Sequence, residues 1–372
     1  MIFMKRVGVA ELPLHGGKCP PWLFSRMKSL GGTISEIIVY EYGRQEFLRR
    51  LGDPFFLQAL GCVLGFDFHS SGLTTTTMGA LKEAIKPEEL GIAVCGGKGK
   101  VSKQAQSEIQ KSADIFSISF QKIEKLKYAS RMAAKVDNAC VQDGYQLYHH
   151  TFVLSEDGDW AVVQQGMRER TARRYHWLSE DVRSFVEEPH SGIIGDRKEE
   201  VVLDMTAHES GEARKASVDL VHDNPQRLML NLRDAEQRSL DEYFGRRPQV
   251  LKLIMPTPHT ITKLTKQTVA ALQRAYELQP ENYEELVAIR GIGPKAVRAL
   301  ALVSDLIYGM SPSWKDPVRF SFAHGGKDGV PYPVDRGTYQ KTIEILEGAI
   351  EGAKVEQKEK LNAVRRLHEF LM

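Results

Sequence analysis

Residues 145–167 read YQLYHHTFVLSEDGDWAVVQQGM, and this stretch predicts a β-hairpin. Two runs rich in β-branched and aromatic residues, Tyr145–Leu154 and Trp160–Met167, flank the polar turn SEDGD. Successive side chains of a strand point to opposite faces, so His149 and His150 cannot face the same cavity. His150, Phe152 and Leu154 are therefore expected to share one face of the hairpin, and His149, Thr151 and Val153 the other.

Strand-like and helical patterns alternate around this hairpin. Apolar residues at a spacing of three or four mark helices, and short runs of β-branched residues mark strands. The mixture predicts an α+β (or α/β) domain with a mixed sheet over residues 1–240. The predicted strands are Arg6–Leu12, Ile34–Tyr40, Ile92–Cys95 and Val201–Met205, and the predicted helices are two within Arg44–Leu64, one over Met78–Ile85 capped by residues 74–77, and two within Gln104–Ala139.

The composition gives the chain no strong overall charge. Among 372 residues, 50 Lys and Arg oppose 48 Asp and Glu, a net charge of +2, so any affinity for nucleic acid must arise locally. The four cysteines stand far apart, which argues against a disulfide framework and against a cysteine zinc site. The N-terminal residues lack the apolar core of a signal peptide, and we expect a soluble cytoplasmic protein without a membrane partner.

Residues 286–302, LVAIRGIGPKAVRALAL, predict two helices joined by a tight turn. Pro294 opens the second helix, where its missing N–H costs nothing. Gly291 and Gly293 are expected to turn with positive φ and to allow close approach of a phosphate, so that a β-branched residue at Gly293 would strain the turn. The amides of the second helix then point at that phosphate, aided by the helix dipole.

This element resembles the helix-hairpin-helix of DNA-binding proteins. The resemblance implies a small all-α module over residues 250–312 that binds the phosphate backbone of DNA without reading its sequence. A stretch without acidic residues, Gly245–Tyr276, precedes the hairpin and adds positive charge. The alternative is a helical joint that serves only for packing. The residues expected to contact DNA are Lys263, Arg290, Gly291, Ile292, Gly293, Lys295 and Arg298.

The last segment, residues 313–372, is expected to be a polar loop followed by a helical tail. One face of this tail is apolar, through Tyr339, Ile343, Leu346 and Ile350. We expect this face to pack either on the first domain or on a partner subunit, and the second option implies a homodimer.

Six segments spread along the chain carry a second resemblance: HGGKCPPWL (15–23), YHHTFVL (148–154), VVQQGM (162–167), ARRYHW (172–177), EPHSGI (188–193) and FAHGGKDGVPYPVDR (322–336). They resemble a family catalogued as domain of unknown function number seven hundred sixty-three, which occurs in archaea and some bacteria. The resemblance covers nearly the full length. It implies a frequent pairing of this domain with a helix-hairpin-helix, and hence a role in DNA or RNA metabolism.

Polar residues inside the predicted strands indicate a catalytic site in the first domain, because burying them without partners is costly. An acidic turn followed by a strand ending in Gln164 has the outline of a restriction-type nuclease core, which holds Mg²⁺ or Mn²⁺. The usual metal-binding Glu is Gln164 here. Carboxylates could come instead from Asp137, Asp143 and Asp204. The expected catalytic residues are Asp143, His150, Gln164, Arg174 and His176, and the metal ligands stay open.

Residues 168–177 combine arginines with aromatic side chains. Such a segment is typical of a surface that holds single-stranded nucleic acid by charge and stacking, and equally of a solvated helix face.

The leading hypothesis is a metal-dependent DNA nuclease that acts in DNA repair or processing. The first alternative is a DNA glycosylase, because these enzymes carry a catalytic Asp after a similar hairpin and Asp316 lies 23 residues after Gly293. The predicted strands speak against the all-helical domain that a glycosylase needs. The second alternative is a non-catalytic protein that binds DNA independently of sequence.

Overall fold

A five-stranded antiparallel β-sheet lies at the centre of the protein. The computed structural model describes residues 19–66, 70–169, 171–195, 198–223, 227–228, 230, 264–318 and 336–371. The central sheet has the order β1-β3-β4-β5-β6, and β2 pairs with β7 in a separate ribbon. The strands are β1 (Ile92–Lys98), β2 (Val141–Gln142), β3 (Gln146–Ser155), β4 (Trp160–Arg168), β5 (Thr171–Leu178), β6 (Gly192–Gly195) and β7 (Leu203–Asp204).

Helices account for most of the remaining described residues, and the fold is mixed helix and sheet, as the sequence predicts. None of the helices within the described ranges is long and apolar enough to cross a membrane. They are α1 (Pro21–Tyr42), α2 (Arg44–Gly52), α3 (Pro54–Val63), α4 (Gly72–Ala84), α5 (Pro87–Leu90), α6 (Ala105–Ile115), α7 (Phe120–Ala139), α8 (Gly211–His222), α9 (Lys266–Leu278), α10 (Tyr283–Ala288), α11 (Pro294–Tyr308), α12 (Arg336–Gly352) and α13 (Gln357–Leu371).

Both faces of the central sheet are buried under helices. Val162 and Trp177 belong to a core shared with α6 and α7, and we call this side the α7 face. Val163 and Leu178 belong to a core shared with α1 to α4, and we call this side the α4 face. Because side chains alternate along each strand, the buried polar residues of the central strands are divided between these two layers.

The C-terminal helices complete the layer on the α4 face. Leu346 and Ile350 of α12 and Leu367 of α13 are fully buried in the same core as α1 and α3, and Ile343 is half-buried. The apolar face of the tail is therefore covered by helices of its own chain.

Helices α9 to α11 lie on the other side of the sheet. Ala271, Leu286 and Leu300 share one hydrophobic cluster with Leu220 of α8 and with the buried side of α7. The predicted boundary between residues 240 and 250 lies outside the described residues.

Two of the predicted elements are wrong. Residues 34–40 belong to α1 rather than to a strand, because Met27, Leu30, Ile34 and Ile38 are all buried at helical spacing. Residues 171–178 form the buried strand β5, so this segment is neither a solvated helix face nor a surface for single strands.

Other predicted elements differ in extent. Residues 74–77 lie inside α4, which begins at Gly72, and the predicted strand Val201–Met205 is reduced to the two residues of β7. The helices within Arg44–Leu64, the two helices within Gln104–Ala139 and the central hairpin are confirmed. The predicted strand Arg6–Leu12 lies outside the described residues.

Candidate nucleic-acid interface and buried polar clusters

The turn between α10 and α11 needs glycine at Gly291 but not at Gly293. Gly291 adopts a φ of +100°, and a Cβ there would lie 2.9 Å from Cβ of Ala271. Gly293 is extended, with a φ of −129°, and an added Cβ meets only the carbonyl oxygen of Gly291, at 3.9 Å. The expectation that a β-branched residue strains the turn at Gly293 is therefore wrong, because other residues adopt this backbone conformation freely.

Side chains of neighbouring elements hold three carbonyl groups in and beside the turn. Each of three carbonyl oxygens accepts a hydrogen bond from a side chain of a neighbouring element, which fixes the turn against α7, α9 and β2. The three bonds run from Lys135 Nζ to Ile289 O (2.7 Å), from Arg274 Nη1 to Arg290 O (2.7 Å) and from Gln142 Nε2 to Pro294 O (2.8 Å).

The first amides of α11 have no hydrogen-bond partner among the described residues. Gly293 is the N-cap of this helix, and none of the described side chains caps it. The hydrogen bond from Val297 N to Gly293 O, at 3.0 Å, is the first that closes the helix. The amides of Lys295 and Ala296 precede it and have no partner within the helix. Two free amides at the positive end of a helix dipole favour an anion.

The predicted DNA-binding residues differ in exposure. Arg290, Gly291 and Lys295 are exposed on the turn, while Ile292 is buried in the core and anchors it. Arg298 is half-buried and donates from Nε to Gln142 Oε1 at 2.7 Å. This guanidinium thus holds the Gln142 side chain that donates to Pro294 O. Lys263 lies outside the described residues.

On the α7 face, three donors converge on the carboxylate of Asp137. Gln164 Nε2 donates to Oδ2 at 2.5 Å, Trp177 Nε1 donates to the same oxygen at 3.1 Å, and His190 Nε2 lies 2.5 Å from Oδ1. Asp137 is 1% exposed, so these donors stabilise a carboxylate that water does not reach.

The network continues through His150. Its Nδ1 lies 2.8 Å from Gln164 Oε1, and its Nε2 lies 2.9 Å from Ser130 Oγ. Since the amide oxygen can only accept, Nδ1 carries the proton and Nε2 accepts from the Ser130 hydroxyl. Burial lowers the pKa of His150, in keeping with a neutral ring.

At its other end the network reaches a polar cleft of about 360 Å³. The cleft is lined by His190, Glu188, Asp204 and Asp316, among others. Among the described residues, Nδ1 of His190 has no hydrogen-bond partner. Burial raises the pKa of Asp204. A carboxylate that orients a histidine at a polar cleft is an arrangement used in acid–base chemistry.

Asp143 belongs to a separate buried ion network. Its Oδ2 accepts from Arg173 Nη1 at 3.0 Å and from the Tyr175 hydroxyl at 2.6 Å. Arg173 also binds Asp316 through both terminal nitrogens, at 3.0 and 2.8 Å. Burial raises the pKa of Asp143, and the charge of Arg173 opposes this effect. Asp143 and Asp316 thus compensate one buried guanidinium.

Arg174 and His176 lie on the α4 face, on the other side of the sheet. Both are fully buried, and their partners are groups of α2, α3 and α4. The hydrogen bonds run from Arg174 Nη1 to Thr74 Oγ1 (3.1 Å), from Arg174 Nη2 to Gln58 Oε1 (3.1 Å) and Pro54 O (3.2 Å), and from His176 Nδ1 to Leu51 O (2.8 Å).

Comparison with known protein families identifies one match. A family model described as "Protein of unknown function (DUF763)" matches residues 8–334. The chain belongs to the DUF763 family. No curated protein matches the chain, and no solved structure matches it.

Three segments of the DUF763 resemblance form the middle of the sheet. Residues 148–154 lie in β3, residues 162–167 in β4 and residues 172–177 in β5. The two HGGK tetrapeptides, at residues 15–18 and 324–327, lie outside the described residues. These three family motifs are thus the strands whose polar side chains lie on the α7 face and on the α4 face of the sheet.

The five predicted catalytic residues of this DUF763 chain are divided between the two faces. His150 and Gln164 meet in one network, Asp143 lies in the ion network with Arg173, and Arg174 and His176 are on the α4 face. The sequence reasoning did not select Asp137 and His190 as catalytic, although both belong to the polar clusters it noted. It also overlooked the polar residues of α3 and α4, because a run such as SSGLTTTT resembles an ordinary helix start.

Proposed function

We propose that this protein binds the phosphate backbone of DNA, independently of base sequence, through the turn at residues 289–295. The observation that carries the proposal is the orientation of the turn's peptide groups. Its carbonyls are held by Lys135, Arg274 and Gln142, while the amides of Lys295 and Ala296 at the start of α11 have no hydrogen-bond partner in the part of the chain that the structure describes.

Charge and exposure support the same proposal. Arg290 and Lys295 are exposed on either side of the free amides, and no acidic residue lies between positions 286 and 304. A phosphate placed there gains hydrogen bonds to the amides and the attraction of two cations. Neither interaction distinguishes one base from another, so affinity should depend on salt and not on sequence.

Fluorescence anisotropy with short labelled duplexes of unrelated sequence tests this proposal. We expect similar Kd values for all duplexes, and about tenfold weaker binding for Lys295→Ala at low salt. Lys358→Ala is the matched control, because Lys358 is exposed on α13, on the α4 face of the sheet. Equal affinity of wild type and Lys295→Ala would assign the turn to packing alone.

We also propose that the chain hydrolyses DNA at the cleft that contains His190. The observation that favours this second activity is the His190–Asp137 pair, in which a buried carboxylate orients a ring whose Nδ1 is free among the described residues. With this orientation His190 can accept a proton from a water molecule in the cleft.

A divalent metal is not built into this proposal. Mg²⁺ or Mn²⁺ remains a prediction from the sequence, and the described residues contain no group of three His, Cys, Asp or Glu side chains that could hold an ion. Cleavage in the presence of Mg²⁺, Mn²⁺ or EDTA measures the metal dependence directly.

Incubation of single- and double-stranded DNA with Mg²⁺, Mn²⁺ or EDTA tests the hydrolytic activity. We expect DNA fragments from the wild type, and none from His190→Gln. His208→Gln is the matched control, because its side chain is 83% exposed at the rim of the same cleft. Alkali-labile abasic sites would support the glycosylase alternative, and DNA binding without any product would support the non-catalytic alternative.

The two proposed activities can be separated by mutation. Gln142, which contacts the turn, and Asp204, which lines the cleft, occupy offset positions of the β2–β7 ribbon. Their side chains therefore point to opposite sides of that ribbon. Lys295→Ala should weaken DNA binding and leave the cleft intact. His190→Gln should abolish cleavage and leave the affinity for DNA unchanged.

A further inference from the structure

Cross-strand register places a row of polar side chains on the α4 face of the sheet. Lys98 lies opposite His149, His149 opposite Gln165, and Gln165 opposite Arg174. Directly paired residues of antiparallel strands share a face with their Cβ atoms about 5 Å apart. We call these four residues the polar row. Neither proposed activity uses it, since the turn and the cleft lie elsewhere.

The polar row is covered by the start of α4 and by α3. Gln165 Nε2 donates to Ser71 O at 2.8 Å, and Arg174 binds Thr74 Oγ1 and Gln58 Oε1. Among the described residues, no hydrogen-bond acceptor of Arg174 is a carboxylate. A buried guanidinium normally has an anionic partner, because its desolvation is otherwise poorly compensated.

Several polar atoms of this layer lack a partner among the described residues, although their residues are at most 1% exposed. Leaving a buried donor or acceptor unsatisfied is costly, so a group of such atoms favours a bound ligand that satisfies them. The atoms are Thr77 Oγ1, His149 Nδ1, Gln165 Oε1, Arg174 Nε and His176 Nε2.

The electrostatics of the layer favour an anion. Arg174 is buried, Lys98 stands at its edge, and the positive end of the α4 dipole adds to both. Burial lowers the pKa of His149 to about 3 and that of Arg174 to about 9, so at neutral pH the histidine is uncharged and the guanidinium is charged. Asp53 interacts with Arg174 electrostatically but is not among its hydrogen-bond partners in the described residues, and burial raises the pKa of this carboxyl.

The unpartnered atoms also require a hydrogen-bond donor from the occupant. Nδ1 of His176 donates to Leu51 O, so the Nε2 of this neutral ring is a lone-pair acceptor. Gln165 uses its amide nitrogen on Ser71 O, which leaves Oε1 as a second acceptor. An occupant therefore needs negatively charged oxygens for Arg174 and at least one hydroxyl for these two acceptors.

We propose that the polar row and the start of α4 bind a phosphate group that carries a hydroxyl donor, either inorganic phosphate or a sugar phosphate. Phosphate oxygens accept from Arg174 and Lys98, and the hydroxyl donates to Gln165 or His176. The site is distinct from the DNA-binding turn, and its test is independent of the proposed functions.

The edge of the layer at Lys98 provides the entry. Lys98 is exposed at the end of β1, and its Nζ lies 5.8 Å from the ring centroid of the half-buried Tyr148. β1 reaches this position because Gly96 has a φ of +87° and approaches so closely that a Cβ there would lie 2.3 Å from His150 O. The GGK sequence thus brings a flexible cation beside His149.

Calorimetric titration and thermal unfolding of the full chain in phosphate-free buffer test the proposal. Inorganic phosphate and ribose 5-phosphate are the two probes, and whichever binds saturably at micromolar to millimolar concentration identifies the source. Bound ligand should also raise Tm in step with occupancy. Sulfate has the same shape as phosphate but no proton at neutral pH, so we expect it to bind at least about tenfold more weakly.

Two substitutions locate the site. Lys98→Ala and Thr77→Val should each raise the Kd for the bound phosphate by about tenfold, with the fold retained, because Lys98 is exposed and the Thr77 hydroxyl has no partner among the described residues. Lys100→Ala is the matched control, since Lys100 is exposed two residues beyond β1, outside the register of the row. Absence of binding by both probes overturns the proposal, as does sulfate binding as tight as phosphate, or equal Kd values for Lys98→Ala and wild type.

Discussion

Replacement of Gly293 by asparagine separates the phosphate-binding role of the turn from its packing role. An N-cap side chain accepts hydrogen bonds from the amides of the second and third helical residues, which here belong to Lys295 and Ala296. Gly293 is extended and its Cβ position is open, so an asparagine fits without strain. The new amide oxygen would occupy the amides that we assign to a DNA phosphate.

Gly293→Asn is expected to affect the stability of the fold and the affinity for DNA in opposite directions. Capping should leave the free energy of unfolding unchanged or raise it by at most about 1 kcal/mol. Loss of a charge-assisted contact with phosphate should cost about 1.5–3 kcal/mol of binding free energy, which is a rise in Kd of roughly tenfold to a hundredfold. A more stable protein that binds DNA less well is an outcome that general damage to the fold cannot produce.

Gly309→Asn is the matched control for Gly293→Asn. Gly309 ends the same helix with a φ of +69°, in the left-handed region that asparagine tolerates, and no atom of the described residues lies within 4 Å of its Cβ position. Urea unfolding and anisotropy at low salt would be measured for both variants. If Gly293→Asn binds DNA as tightly as Gly309→Asn does, the amides of α11 do not hold a phosphate and the reasoning fails.

Three further predictions concern the buried layers. The pKa of His149 is about 3 in the fold against an ordinary 6.5, so only the unfolded chain takes up a proton at this residue as pH falls below 6.5. The free energy of unfolding measured with urea should therefore fall with pH. His149→Gln should reduce the slope of this pH dependence by up to about 1.4 kcal/mol per pH unit. Asp316→Asn leaves Arg173 with one carboxylate and should cost about 3–5 kcal/mol in the same assay, whereas a catalytic Asp would lose activity with stability retained. Leu346→Ala should cost about 2–5 kcal/mol by removing buried contacts of α12, and light scattering should show an unchanged oligomeric state, since this face packs within the chain.

The strand pair at the centre could be predicted because its signals are local. The runs on either side of SEDGD are rich in strand-forming residues, and successive side chains of a strand point to opposite faces, so the division of His149 and His150 between two faces follows from the sequence. The same holds for the turn at Gly291, where the glycine spacing and Pro294 define both helices.

The segment Arg173–Trp177 shows where local patterns fail. Two adjacent arginines predict an exposed segment, yet both are fully buried, one on each face of β5. Their partners, Asp316 for Arg173 and Gln58 for Arg174, are more than 100 residues away along the chain. Sequence reasoning without those contacts cannot tell a compensated interior charge from a surface charge.

The predicted catalytic residues lie on two different faces of the sheet for a related reason. Selection of polar residues in strands identifies side chains that need partners, but it does not say on which face the partners lie. His150 and Gln164 share a face and a hydrogen bond, whereas Arg174 and His176 belong to the opposite layer. The polar row is defined by the register of four strands, which the sequence alone does not determine.

The salt dependence of DNA affinity tests the central claim most directly. The logarithm of the binding constant would be measured against the logarithm of salt concentration for the wild type and for a variant with both Arg290→Ala and Lys295→Ala. We predict linear salt-dependent binding by the wild type, with a slope that is smaller by about two in the variant, because two phosphate contacts are lost. Identical slopes for the two proteins, or no salt-dependent binding by the wild type, would contradict the assignment of the turn to the DNA backbone.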